Sequence, residues 1–336
     1  MRSLFLFLAL AVPAAQAQDI HFSQFYAAPL VVNPALTGAF GGDYRFGLNY
    51  RSQWSSVTVP YRTFDLFGDF SPWRSSTSGQ YVSLGALLMA DRAGDGDLTA
   101  IKTALSGAYH LLPDLLRYHD LTLGLQVAWV QKQVDFSKFY FDNQWNDSGF
   151  DPNLPSGENF VAGQTSYADV AAGISYTYAG AGRLGAHAGF SVFHLLRPRE
   201  SFYEQANRLG LRPVAFAGLR LDVTPSLSVS PAVFYEEQKQ ARELLLGGMM
   251  RYDLNASERF AGASIYGGLY GRMGDALIAV AGYELRSWRL LISYDVNTSA
   301  LKAASKGRGA VELSLVHTGL LRKNRPLRLD LPCPRF

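Results

Sequence analysis

The feature that most constrains this chain is an alternation of apolar with small or polar residues at period two. From Tyr44 the chain places Tyr44, Phe46, Leu48 and Tyr50 on one parity and Arg45, Gly47, Asn49 and Arg51 on the other. Successive side chains of a strand point to opposite faces, so this segment has one apolar, aromatic face and one small or charged face. On a helix the same residues would scatter around the axis and bury Arg45 beside Phe46. The segment reads as a strand.

The pattern recurs down the chain. Leu121, Leu123, Leu125, Val127 and Trp129 oppose Thr122, Gly124, Gln126 and Ala128, and Val170, Ala172, Ile174 and Tyr176 oppose Ala171, Gly173 and Ser175. Leu184, Ala186, Ala188 and Phe190 oppose Gly185, His187 and Gly189, while Leu290, Ile292 and Tyr294 oppose Leu291, Ser293 and Asp295. Soluble sandwiches alternate too, but their strands average about 5–6 residues. These runs are nearer the ~9–11 residues a tilted strand needs to cross a bilayer. Fourteen strands are expected, near 43–54, 62–73, 80–91, 99–112, 119–135, 167–179, 183–196, 212–224, 227–238, 241–254, 263–273, 276–287, 289–300 and 309–321. An even count in this range suits an outer-membrane barrel. If the first strand runs outward, the long connections 136–166, 197–211 and 301–308 fall outside, and the short ones 180–182, 225–226 and Ser287-Trp288 fall inside. That asymmetry is the one such barrels show. The fold class is therefore all-β, a transmembrane outer-membrane β-barrel of about 14 antiparallel strands over 43–321. Tyr44, Trp54, Trp73, Trp129 and Trp288 fall near strand ends, where aromatic girdles lie.

The flanks carry separate signals. Met1-Arg2-Ser3, an apolar run from Leu4 to Val12 and Ala15-Gln16-Ala17 form the pattern of a cleaved signal peptide over 1–17. The run is shorter than the ~20 apolar residues of a spanning helix. Residues 18–42 precede the first strand and are rich in Phe, Tyr, Pro and Gly. They are expected either to enter the lumen as a plug or to dock a periplasmic partner. The tail 322–336 carries Arg322, Lys323, Arg325, Arg328 and Arg335, a basic segment suited to an acidic partner. Both termini are expected in the periplasm.

Little catalytic chemistry is legible. The net charge is +3 with both signs interspersed, so no nucleic-acid footprint exists. Cys333 is the single cysteine, which excludes a disulfide framework and any multi-cysteine metal site. Gly180, Gly182 and Gly185 match G-x-G-x-x-G, but the motif needs a following helix, and Leu184 to Val192 alternates as a strand. The six histidines lack metal-ligand spacing. Neither enzymatic activity nor a cofactor is expected. Asp91, Asp95 and Asp97 are weak Ca²⁺ candidates in a Gly-rich loop. They lack a distal Glu, and Asp-Gly is also ordinary turn chemistry, the preferred reading. The 142–153 stretch poses the same choice. Its loop carries Trp145, Phe150 and Phe160, which suit contact with a partner.

Taken in order, the motifs resemble one family. Asp19-Ile20-His21-Phe22-Ser23-Gln24-Phe25-Tyr26 and Asn33-Pro34-Ala35-Leu36-Thr37-Gly38 open the series. Tyr44 to Trp54, Asp91 to Gly96, Gln131 to Phe136, His194 to Pro198, Ser293 to Asn297 and Gly307 to Ser314 continue it. The chain resembles the PorP/SprF family, outer-membrane proteins of the type IX secretion and gliding-motility system of Bacteroidota. Ile20 departs from the proline expected there. The resemblance implies a non-enzymatic barrel in contact with outer-membrane lipid. It also implies protein partners: a secreted, adhesin-like client with a type IX C-terminal domain, and a periplasmic type IX or peptidoglycan-associated protein. Asn33, Pro34, Gly38, Trp145, Phe150, Gly307, Arg308 and Gly309 are the positions expected to bind partners or to serve as structural motifs. The alternative function is a passive porin or small-solute channel with an open lumen.

Overall fold

The computed structural model describes residues 19–321 apart from 58, 73–79, 95, 112–117, 147–148, 152, 158–162, 180–181, 203–206, 255–261 and 301. The signal-peptide segment, the basic tail 322–336, Trp73, Asp95 and Phe160 thus lie outside the described residues. No described helix is long and apolar enough to cross a membrane.

Fourteen strands close a barrel. They are β1 (Tyr44–Gln53), β2 (Tyr61–Phe70), β3 (Gln80–Ala93), β4 (Leu98–Leu111), β5 (His119–Gln133), β8 (Gln164–Ala179) and β9 (Leu184–Phe193). The circuit continues through β10 (Arg212–Asp222), β11 (Leu227–Gln238), β12 (Ala241–Asp253), β13 (Ala263–Arg272), β14 (Ala276–Leu285), β15 (Trp288–Asn297) and β16 (Arg308–Gly319). The remaining pair, β6 (Trp145–Asn146) and β7 (Gly149–Phe150), forms a small hairpin within the longest loop. Each barrel strand pairs antiparallel with its neighbours, and β1 closes on β16 from Tyr44↔Gly319 to Gln53↔Ala310. No backbone edge is left open, which a bilayer requires because its core offers no water to unpaired amides. The expected strand bounds hold to within three residues.

Alternation decides which face each side chain takes. On β5, Leu123, Leu125, Val127 and Trp129 are 49%, 63%, 59% and 53% exposed, while Thr122 and Gln126 are buried at 2%. The apolar parity points outward and the polar parity inward, the reverse of a soluble barrel and the arrangement lipid demands. The three longest connections, 134–163, 194–211 and 298–307, share one rim, here the loop rim. The opposite, turn rim carries tight connections such as Arg286-Ser287 and 223–226.

Residues 19–40 occupy the lumen and are almost wholly buried. The path begins at the loop rim, where the Asp19 amide donates to Gln238 at the end of β11 (2.9 Å) and its carboxylate meets His194 just beyond β9 (2.7 Å). It ends at the turn rim, where the Gly38 amide donates to Asp69 (2.7 Å) and the Asp43 amide to the Gly319 carbonyl (2.8 Å). Of the two expectations for 18–42, the lumenal plug holds. Asp19 and Leu321 lie at opposite rims, and the two ends expected in the periplasm lie outside the described residues. The reason is burial. The outer face already meets lipid, so the apolar side chains of this segment can leave water only by running the length of the lumen. Phe25, Tyr26, Val32 and Leu36 join Phe193, Phe216, Phe234 and Tyr270 in one cluster, and Phe22, Leu30 and Val31 join Phe67, Leu87 and Met89 in another.

Candidate functional site

The Asn33 to Gly38 motif seats the plug against the wall. A single helical turn (Pro29–Val32) ends at Asn33, which is extended, and a 3-10 turn (Pro34–Leu36) follows with proline in its first position. Proline suits that position because its missing N–H would have no partner there. The Asn33 side chain caps the turn by accepting from the Ala35 amide (2.8 Å), and its Nδ2 donates to the carbonyls of Ile174 (3.0 Å) and Phe190 (3.2 Å) on β8 and β9. The wall opposite is glycine. A Cβ on Gly124 of β5 would lie 2.2 Å from the Ala35 nitrogen, and one on Gly173 of β8 would lie 2.0 Å from Asn33 Oδ1. Gly38 takes a φ of +76°, and a Cβ there would strike Ser83 Oγ at 1.9 Å, so only glycine fits. Asn33, Pro34 and Gly38 therefore face inward and hold the plug; they do not reach a partner surface.

Charge pairs fix the rest of the plug. Glu312 on β16 receives the amides of Ser23 (2.7 Å) and Gln24 (2.8 Å) and also pairs with Arg51. Arg51 and Arg272 both reach Asp295 (3.3 and 3.4 Å), and Arg272 also contacts Glu243 and Asp275 (3.3 and 3.1 Å). Arg212 approaches Asp19 (3.6 Å) and Glu236 (3.5 Å), while His194 bridges Asp19 and Asp169 (2.7 and 2.9 Å). Near the turn rim, Arg45 binds Asp69 through two nitrogens (2.9 and 2.7 Å) and donates to the Leu36 carbonyl (3.1 Å). Such buried ions tolerate the lumen because each meets opposite charge or backbone dipoles. Of the polar positions expected inside, Arg45, Arg51 and Glu312 are buried against the plug, whereas Arg220 pairs with Asp222 at the turn rim (3.3 Å).

The loop rim carries an aromatic surface. Trp145 and Phe150 face each other across the β6–β7 hairpin, and the Tyr140 ring meets Phe150 edge-on at 4.8 Å. With Phe141 and Asp142 they line a cavity of about 420 Å³, and Tyr140 and Trp145 are 77% and 68% exposed. The base of this loop is tied to the β3–β4 connection through Asp97, which accepts from Lys138 and from Arg92 (2.7 Å). Those bonds, Lys138 first, hold the Asp97 carboxyl below its ordinary range, and Ser137 does the same for Asp135.

The two described calcium candidates are engaged by other side chains. Asp97 is taken by Lys138 and Arg92, and Asp91 lies within β3, where it accepts from Thr63 Oγ1 (2.6 Å). Among the described residues, the group that brings ligand atoms together is instead His21, Glu236 and Glu243, which spacing along the chain does not announce. Gly307, Arg308 and Gly309 lie in the last hairpin, where the two glycines meet local demands of the backbone. Gly307 has a φ of +77°, and a Cβ on Gly309 would lie 2.6 Å from Asn297 Oδ1, so glycine lets β16 approach β15. Arg308 opens β16 and is exposed.

The chain is similar to several solved structures and to one family. Among solved structures, the Ralstonia pickettii toluene transporter TbuX aligns at 10% identity and a TM-score of 0.49, covering 86% of this chain and 92% of that one. A Pseudomonas aeruginosa FadL homologue aligns at 10% identity and 0.49 over 85% and 92%, and the P. putida toluene transporter TodX at 10% and 0.47 over 87% and 94%. The closure of the barrel rests on its own strand pairing rather than on these likenesses. No curated protein matches the chain. Residues 14–317 match the family described as type IX secretion system membrane protein PorP/SprF, which spans nearly every strand of the barrel. The chain belongs to the PorP/SprF family of type IX secretion system membrane proteins.

Proposed function

We propose that this barrel serves type IX secretion as a closed, non-enzymatic platform in the outer membrane, which holds a secreted client at its loop rim and passes no solute through its lumen. The observation that carries the reading is the lumen itself: from Phe22 to Phe40 the plug is buried against all sides of the wall. A porin needs a wet lumen, and the apolar clusters around Phe25 and Leu30 oppose one. What remains for contact is the loop rim, which is the outward one if long loops face outside, as in such barrels. Exposed aromatic rings around a concave centre suit a protein partner, since aromatics are enriched at the anchoring positions of interfaces. The client proposed for that rim is a secreted adhesin-like protein with a type IX C-terminal domain, a class that membership of a type IX secretion family favours.

A photo-crosslinking residue placed at Tyr140 or Trp145 in the native outer membrane tests this. Adducts with a secreted protein bearing such a domain are expected from those positions and not from Leu125 on the lipid face. Rim positions that capture no secreted protein would end the proposal.

A further inference from the structure

We infer that His21, Glu236 and Glu243 form a divalent-cation site, suited to Zn²⁺, that staples the plug to the barrel wall at the loop rim. One ligand atom from each residue lies within 4.8 Å of the other two. His21 belongs to the plug, Glu236 to the end of β11 and Glu243 to the start of β12, so a shared ion would join two bodies that otherwise meet through side-chain bonds.

Three further observations point to an ion. A cavity of about 10 Å³ adjoins the cluster, lined by Asp19, Glu236, Gln238, Ala241, Arg242 and Glu243. That is about the volume needed for one water-sized occupant, and three carboxylates border it. His21 Nε2 faces Glu243 Oε2 at 3.3 Å, and a cation between them would use the lone pairs of both. Neighbouring guanidiniums leave the carboxylates available: Arg272 reaches the other Glu243 oxygen at 3.3 Å, and Arg212 reaches Glu236 at 3.5 Å.

The carboxylates gathered around the cluster outnumber the guanidiniums that reach them: Asp19, Glu236, Glu243, Asp275 and Asp295 against Arg51, Arg212 and Arg272. An imidazole with two carboxylates favours Zn²⁺ over the all-oxygen sites of Ca²⁺ and Mg²⁺.

The test uses the full barrel in detergent, stripped with chelator and titrated with Zn²⁺ alone, read by calorimetry and by metal content after desalting. One equivalent per chain is expected, lost or weakened at least tenfold in His21→Ala and in the near-isosteric Glu236→Gln, with each variant still heat-modifiable on gels. At a Zn²⁺ concentration of 100 Kd, hydrogen exchange of residues 19–26 should slow about 100-fold, because binding to the closed plug opposes its release. Binding that survives both substitutions, or Zn²⁺ that leaves plug exchange unchanged, would overturn the site and reduce His21–Glu243 to an ion pair. If both variants misfold, the exchange measurement on the unaltered protein decides alone. The inference does not depend on the client, so it stands or falls separately from the crosslinking result.

Discussion

Glu312 offers the sharpest single perturbation of the plug. Its side chain is buried at 1% exposure, and its carboxylate receives the Ser23 amide (2.7 Å), the Gln24 amide (2.8 Å) and the Arg51 guanidinium. Removing one partner of a buried ion pair costs about 3–5 kcal/mol, because the remaining charge is left unpaired. Arg51 keeps Asp295 at 3.3 Å, which places Glu312→Ala near the lower end, about 3 kcal/mol. The two plug amides can escape burial without a partner only if the plug leaves its seat. The cost therefore falls on plug closure, and at 1.4 kcal/mol per decade the open population should rise about 100-fold. Hydrogen exchange with mass spectrometry reads this directly. Residues 19–32 of Glu312→Ala should exchange about 100-fold faster than in the unaltered protein, while β5, whose ladder does not involve Glu312, should not change. Unchanged plug exchange would refute the reasoning. So would parallel acceleration of plug and β5, since the plug would then not be a separable unit.

Other substitutions separate the two faces of one strand. Leu125→Arg puts a charge on the lipid face of β5 and should lower barrel stability by roughly 2–4 kcal/mol, measured by unfolding in lipid vesicles. The adjacent Gln126→Ala removes a bond to the Leu30 carbonyl (3.0 Å) and should loosen the plug by about 0.5–1.5 kcal/mol while the barrel keeps its heat-modifiable migration. Gly124→Val should unseat the Pro34–Leu36 turn, because its Cβ would fall 2.2 Å from the Ala35 nitrogen, and crosslinking between plug and β5 should drop. Acid should loosen the long loop. Asp97 is held below its ordinary range by Lys138 and Arg92, so its contribution is full above the usual carboxylate pKa and is lost as pH falls through the lowered value. A spin label at Tyr140→Cys should gain mobility over that acid window, and Asp97→Asn should remove the transition.

The barrel was legible because lipid and lumen impose opposite demands on alternate residues, and Tyr44 to Arg51 or Leu121 to Trp129 write that alternation out. The plug was legible only as a choice. Phe22, Phe25 and Leu30 need burial, but nothing in 18–42 names the surface that receives them, and its direction of travel depends on partners far along the chain such as Gln238 and His194. The glycines Gly124 and Gly173 appear in the sequence as small members of an alternating face; that they form a slot for Asn33 and Ala35 emerges only when β5 and β8 pair. Gly307 to Gly309 shows the opposite limit, where local turn geometry accounts for the glycines of a motif expected either to bind partners or to be structural. The His21, Glu236 and Glu243 cluster left no trace in spacing, because one member comes from the plug and two from strands that meet it only after closure.

Ion conductance across planar bilayers tests the central claim, that the lumen is closed by the chain's own first residues. The purified barrel should give no large steady current, and a variant lacking residues 19–40 but still heat-modifiable should conduct, because the wall alone encloses an open, polar-lined path. A steady current through the unaltered protein, equal to that of the shortened variant, would contradict the account and return the barrel to the porin reading.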